Sequence, residues 1–191
     1  MSDLSRLFLV RHGQTPWTIS RQHTGRTDVP LTPRGERDAI ELAHKLNNVE
    51  FERVLTSPLQ RARRTCELAG FIGRFEPAPD LMEWDYGCYD GVTTADIRKQ
   101  RPDWNVFLHG APGGESPDDI GRRADRLLER LRPLDGETLL FSHGHFLRVL
   151  AARWLGLPVA DGRLFALGTT TVSILGYEHD RSDPVLLQWN A

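Results

Sequence analysis

The chain has 191 residues, 39% of them hydrophobic, which is the size and apolar content of one domain with a core of its own. A formal net charge of −2 excludes a broad basic surface for nucleic acid. Its two cysteines, Cys66 and Cys88, show neither CxxC nor Cys/His spacing, so no zinc site or disulfide framework is indicated and a reducing compartment is expected.

Leu7 to Val10 is a short apolar run before a loop and reads as a buried strand. It is too short for a signal-peptide core or a membrane span, so a soluble, cytoplasmic protein with no membrane partner is expected. Thr32 and Pro33 have the chemistry of an N-cap and first helical position, and Ala39, Leu42, Ala43 and Leu46 follow at helical spacing. A strand at Arg53 to Thr56 precedes a helix from near Pro58 to about Ala69. Residues 71 to 115, rich in Gly, Pro and aromatics, read as an irregular excursion holding one short helix near Thr94 to Gln100, which caps the domain and shapes a pocket.

Ser116, Pro117, Asp118 and Asp119 then open a helix whose buried stripe is Ile120, Ala124, Leu127, Leu128 and Leu131. A strand at Thr138 to Phe141, a helix from Phe146 to Leu155 ended by Gly156, and strands at Thr170 to Tyr177 and Val185 to Trp189 complete the pattern. Strand and helix alternate from one end to the other without repeats or linkers, which predicts an α/β fold across residues 1–191.

Arg11-His12, Arg61 and His143 each lie just beyond the C-terminal end of a different predicted strand, where ligands bind in open α/β sheets. Two guanidiniums and two imidazoles brought together there would neutralise phosphoryl oxygens and offer a nucleophile.

The stretch Leu-Val-Arg-His-Gly-Gln-Thr-Pro-Trp at 9 to 17 resembles the Arg-His-Gly signature of the histidine phosphatase, or phosphoglycerate-mutase-like, superfamily. Further blocks follow in that family's order: Thr24-Gly25 with Asp28, Pro30, Leu31, Thr32 and Gly35; Ser57 to Thr65; Glu83 opening Glu-Trp-Asp-Tyr-Gly-Cys-Tyr-Asp-Gly; Gly114-Glu115-Ser116; and Ser142-His143-Gly144-His145. Trp17 followed by a hydroxyl residue, the block at Glu83, Trp104 and the His-Gly-His block look like the branch of acid phosphatases and sedoheptulose-bisphosphatase-like enzymes.

The resemblance implies a single three-layer α/β/α domain with a mostly parallel sheet, and a metal-independent phosphatase that needs no cofactor. His12 would attack phosphorus, while Arg11, Arg61 and His143 hold the phosphoryl oxygens. Glu83 would protonate the leaving oxygen and then activate water, with Asp85, two residues on, as the other candidate proton donor. Thr18 (where the family often has Asn), Thr24, Gly25 and His145 are the candidate substrate contacts, although His145 and His23 also fit satisfied packing residues. Trp84, Tyr86 and Tyr89 either pack the excursion or wall the pocket, and Glu115 either caps a turn or braces a catalytic group.

The partner implied is a small phosphorylated metabolite, best guessed as a sugar phosphate. The rivals are a phosphoglycerate mutase sharing the same residues, a phosphometabolite-binding domain without turnover, and a metallohydrolase on His12 and His143. The last lacks the carboxylate or paired-His spacing of a metal site. The mutases of this family carry a much longer insertion than residues 84–113 at this point, which favours hydrolysis. Arg98, Lys99 and Arg101 read as a solvated helix face.

Overall fold

The computed structural model describes residues 4–191. Its sheet has six strands in the order β3-β2-β4-β1-β5-β6, made of β1 (Leu7–Arg11), β2 (Phe51–Thr56), β3 (Glu76–Pro77), β4 (Glu137–Ser142), β5 (Val172–Tyr177) and β6 (Pro184–Gln188). The first four are parallel to one another; β5 runs antiparallel to β1, and β6 antiparallel to β5. The sheet is therefore mostly parallel, as expected.

The pleat sends alternate side chains of β1 to opposite faces. Leu7 and Leu9 join the core under α6 (Pro117–Leu131) and α7 (Gly144–Trp154), whereas Phe8 and Val10 join the core under α2 (Pro33–Leu46) and α3 (Gln60–Cys66). Burial on both faces gives the three layers and explains why the strands read as continuous apolar runs. Thr32 and Ser116 cap α2 and α6 through their hydroxyls, and Gly156 follows α7 in the left-handed region at φ 73°.

Five elements lay beyond the sequence reading. Residues 16–20 form a short helix, α1 (Pro16–Ser20), held by a reciprocal capping box between Thr15 and Thr18. The excursion is also more ordered than a loop with one helix. It contributes β3 at the sheet edge, two 3₁₀ turns, α4 (Thr94–Gln100) as expected, and α5 (Val106–His109).

The reason is aromatic burial: Trp84, Tyr86, Trp104 and Phe107 are all buried. The indole N–H groups of Trp84 and Trp104 donate to the Glu115 and Gly110 carbonyls, at 2.9 and 3.0 Å. Among the described residues no helix is long and apolar enough to cross a membrane.

Candidate active site

Strand register places the reactive residues. Arg11 pairs with Ser142 and Thr56 with Phe141, and the ladder runs one step further. The His12 N–H donates to the Ser142 carbonyl at 3.0 Å and the Ser57 N–H to the Phe141 carbonyl at 2.9 Å. His12, Ser57 and His143 thus leave the C-terminal edge of three adjacent strands together, with the two imidazole centroids 5.1 Å apart.

His12 is buried, and its Nδ1 lies 2.8 Å from the Gly13 carbonyl. A carbonyl only accepts, so Nδ1 carries the hydrogen and Nε2 keeps its lone pair. The Gly13 peptide is itself pinned, because its N–H donates to the Thr65 hydroxyl at 3.0 Å and that hydroxyl donates to the Arg61 carbonyl at 2.7 Å. Burial, followed by the charges of Arg61 and Arg11, pushes His12 well below the ordinary imidazole value, against a smaller opposing effect of the Gly13 bond. At neutral pH the ring is uncharged.

The tautomer of His143 follows from hydrogen-bond accounting. Its Nε2 lies 2.8 Å from the Ser57 hydroxyl, which also accepts from the Leu59 N–H at 3.3 Å, and its buried Nδ1 has no partner. If Nε2 were the donor, both the Ser57 proton and the Nδ1 lone pair would be stranded. With Ser57 donating to Nε2, only an Nδ1–H donor is left open.

Buried Arg11 Nε and Arg61 Nε are unpartnered as well. A buried donor in that condition costs about 1–3 kcal/mol, and an acceptor oxygen brought to it would remove that cost. The remaining Arg61 nitrogens hold the entrance loop, donating to the carbonyls of Thr27 at 3.0 Å, Thr24 at 3.1 Å and Gly25 at 2.9 Å.

Glu83 presents its carboxylate at the N-terminus of α7, where Oε1 accepts from the Trp84 and Phe146 N–H groups at 2.9 Å and Oε2 from the His145 N–H at 3.1 Å. Its backbone is strapped from behind by Arg123. Arg123 is 6% exposed, and its guanidinium forms a bidentate pair with Glu115 at 2.8 Å and donates to the carbonyls of Asp80, Met82 and Glu83. Glu115 closes the loop by accepting from the Asp85 N–H at 2.9 Å.

The pocket in front of His12 has a volume of about 230 Å³. Among the expected residues, Arg11, His12, Thr18, Thr24, Glu83 and His145 line it, while Arg61, His143 and Gly25 sit behind the wall. Thr18 is less available than expected, since its hydroxyl proton goes to the Thr15 carbonyl at 2.8 Å. Gly25 has a packing role: a Cβ there would lie 2.9 Å from the Trp84 carbonyl oxygen, and its N–H donates to Asp90 at 2.8 Å.

Asp85 is absent from the wall. Its carboxylate accepts from the Gly87 N–H at 2.9 Å and faces Arg26 at 3.6 Å. Among the described residues no group of three His, Cys, Asp or Glu side chains is placed to hold a metal ion.

The wall also contains Trp17, Arg21, His23, Tyr86 and Arg148. Tyr86 therefore walls the pocket, whereas Trp84 packs the excursion. The Tyr86 hydroxyl bonds His145 Nδ1, and His23 stacks 4.7 Å from Tyr86 with burial holding its imidazole down at about 4. Arg148 was missed because a lone arginine on an amphipathic helix reads as solvated.

A buried, guanidinium-flanked imidazole beside a strapped carboxylate is an arrangement suited to holding a phosphoryl group. The match of residues 7–191 to the family model of the histidine phosphatase superfamily (branch 1) agrees with it, and the chain belongs to that superfamily. It is 42% identical to an acid phosphatase of Mycobacterium tuberculosis over 91% of this chain and 87% of that one. It is 36% identical to sedoheptulose 1,7-bisphosphatase of Saccharomyces cerevisiae over 81% and 69% of the two chains. A relative from Photorhabdus laumondii named as a probable phosphoglycerate mutase is 32% identical over 91% and 86%. The fold superposes on the solved structure of an open reading frame of Mycobacterium tuberculosis with a TM-score of 0.91 and 38% identity, covering 97% of each chain.

The Arg123–Glu115 strap makes a stability prediction. Burial raises the Glu115 carboxyl, but the bonds and charge of Arg123, the Asp85 N–H and the Arg26 charge together outweigh it and leave the group below its ordinary value. A depressed carboxyl stabilises the fold above its unfolded value, near pH 4.3, and that contribution disappears as pH falls through the lower folded value. In urea denaturation, Glu115→Gln is expected to be less stable than wild type at pH 7, with the gap narrowing below about pH 4.3. A gap independent of pH would mean that the strap is not ionic.

Proposed function

We propose that this chain is a phosphatase that hydrolyses small phosphomonoesters, sugar phosphates first among them, through a phosphohistidine on His12, without a metal ion or cofactor. The observation that carries this reading is the group of buried donor atoms left open around a neutral imidazole: Arg11 Nε, Arg61 Nε and His143 Nδ1. Phosphoryl oxygens are the acceptors that such a cage suits.

His12 Nε2 donates its lone pair to phosphorus as the bond from phosphorus to the leaving oxygen breaks, and Glu83 gives that oxygen a proton. Oε2, which accepts one N–H bond against two at Oε1, is the oxygen freer to carry that proton. Phosphorylation makes the ring cationic, and the Nδ1–H bond to Gly13 steadies it. The Glu83 carboxylate then takes a proton from water, whose oxygen attacks phosphorus. The N–P bond breaks, releasing inorganic phosphate and restoring neutral His12. Between the two candidate donors, the placement of Glu83 on the pocket wall and of Asp85 off it supports Glu83.

Hydrolysis is favoured over isomerisation because two cations of the excursion are engaged elsewhere. Lys99 on α4 pairs with Asp96 at 2.6 Å in solvent, and Arg98 donates to the Trp104 carbonyl, so neither closes over the mouth. A mutase needs a closed site to keep water from its phosphoenzyme. With 3-phosphoglycerate, a trace of 2,3-bisphosphoglycerate and EDTA present, phosphate release should outrun formation of 2-phosphoglycerate. The opposite ratio would establish the mutase, and loss of all turnover on chelation with recovery on adding zinc or magnesium would establish a metallohydrolase.

The proton donor is tested separately. Glu83→Gln should slow a sugar phosphate at least about tenfold more than p-nitrophenyl phosphate, whose leaving group departs without a proton. Equal losses on both would move the acid role away from Glu83.

A further inference from the structure

The guanidinium of Arg11 is held in place by few groups. One face packs against the backbone of Gly144 at the start of α7, where a Cβ would lie 3.2 Å from Cζ and from Nε. Among the described residues its one hydrogen bond runs from Nη1 to the Leu167 carbonyl, and its Nε is open. A guanidinium is a planar fork of fixed geometry. The contact with Gly144 and the bond to Leu167 together therefore set where Nε points.

Leu167 lies in the stretch 165–171, which forms neither helix nor strand, so its peptides must be held from outside. The segment after β6 holds them. Trp189 donates its indole N–H to the Ala166 carbonyl, and its ring meets that of Phe165 edge-on at 5.4 Å. Asn190 Oδ1 accepts from the Gly168 N–H at 2.6 Å.

These two bonds hold the peptides on either side of Leu167, and the second acts on the peptide that serves Arg11. The Leu167 carbonyl and the Gly168 N–H belong to one planar unit and point in opposite directions. A line of hydrogen bonds thus runs from the Asn190 amide oxygen, through that peptide, to Arg11, and each bond polarises the next.

Asn190 is itself tied to the strands that carry the site. Its N–H donates to the buried Ser173 hydroxyl at 3.0 Å, and the next residue, Ala191, exchanges both backbone bonds with Val172 at 2.9 and 3.1 Å. Val172 is the register partner of Val10, the neighbour of Arg11 on β1. Asn190 has φ at 61°, a region that asparagine tolerates better than most residues.

We propose that Asn190, assisted by Trp189, is a positioning residue: by holding the Leu167–Gly168 peptide it aims the Arg11 guanidinium at the oxygens of the phosphoryl group before His12. Asn190 is exposed and absent from the pocket wall, so it acts through Arg11 and not on the substrate. Its effect on turnover rests on the phosphatase reading, whereas its effect on anion binding needs no turnover.

The test uses Asn190→Gly, which removes the amide and suits the left-handed backbone, and Asn190→Asp, which keeps an acceptor for the Gly168 N–H. Two quantities are measured: kcat and KM on p-nitrophenyl phosphate, and the binding of orthovanadate by calorimetry. Asn190→Gly should lower kcat/KM about tenfold, chiefly through kcat, and weaken vanadate by a similar factor, while Asn190→Asp should restore most of both. In an Arg11→Lys background, where the fork is absent, Asn190→Gly should cost less than about twofold. If Asn190→Gly fails to fold, Trp189→Phe, which removes the bond to the Ala166 carbonyl, should show the same dependence on Arg11.

Equal losses in the two backgrounds would mean a merely structural role and overturn the proposal, as would undiminished vanadate binding in Asn190→Gly or none in wild type. If wild type released no phosphate while vanadate binding still fell in Asn190→Gly and recovered in Asn190→Asp, the phosphatase reading would fail and the positioning would stand.

Discussion

The guanidiniums of Arg11 and Arg61 lie beside a buried imidazole, neither has a carboxylate within ion-pair distance among the described residues, and much of the remaining structure exists to hold that arrangement. Burial works against the charge on both, and the carboxylate of Glu83 is the largest influence restoring it. Such a cluster would expel itself into water unless every other bond around it were fixed. The fold fixes them by giving Arg61 three backbone carbonyls and by supporting Glu83 with backbone N–H groups at the start of α7. Burial first, and then the same cations, keep His12 uncharged, which is the state the proposed nucleophile needs.

This constraint explains an otherwise odd distribution of polar groups. Arg123 sits on the buried side of α6, against the ring of Phe146, because the carbonyls of Asp80, Met82 and Glu83 and the Glu115 carboxylate need a donor there. Ser57 and Thr65 are fully buried hydroxyls whose hydrogen bonds fix the tautomer of His143 and hold the Gly13 N–H. None of these groups need touch a substrate. Each limits the freedom of one that would, in the manner of the outer contacts that orient a metal ligand.

The parts of the molecule legible in the sequence are those where local chemistry and tertiary context agree. Thr32-Pro33 and Ser116-Pro117 announced their helices because an N-cap hydroxyl followed by proline has few other uses. The apolar runs announced the central strands, and Arg11, His12 and His143 could be placed because they follow those runs directly. The excursion was harder. Its order comes from Trp84, Trp104 and Phe107 meeting across long sequence separations, and β3, at Glu76–Pro77, has no pattern of its own and exists because β2 offers an edge. Arg123 and Arg148 were illegible for a related reason: on an amphipathic helix a buried arginine and a solvated one look alike, and only the partners, distant in sequence, distinguish them.

The proposed hydrolysis rests on covalent chemistry at His12. Rapid acid-free quenching of the enzyme with a ³²P-labelled phosphomonoester, followed by site mapping, measures it directly. The account predicts a phosphoenzyme that is stable in base and labile in acid, with label on His12 and none incorporated by His12→Ala. Undiminished labelling or turnover in His12→Ala would contradict it.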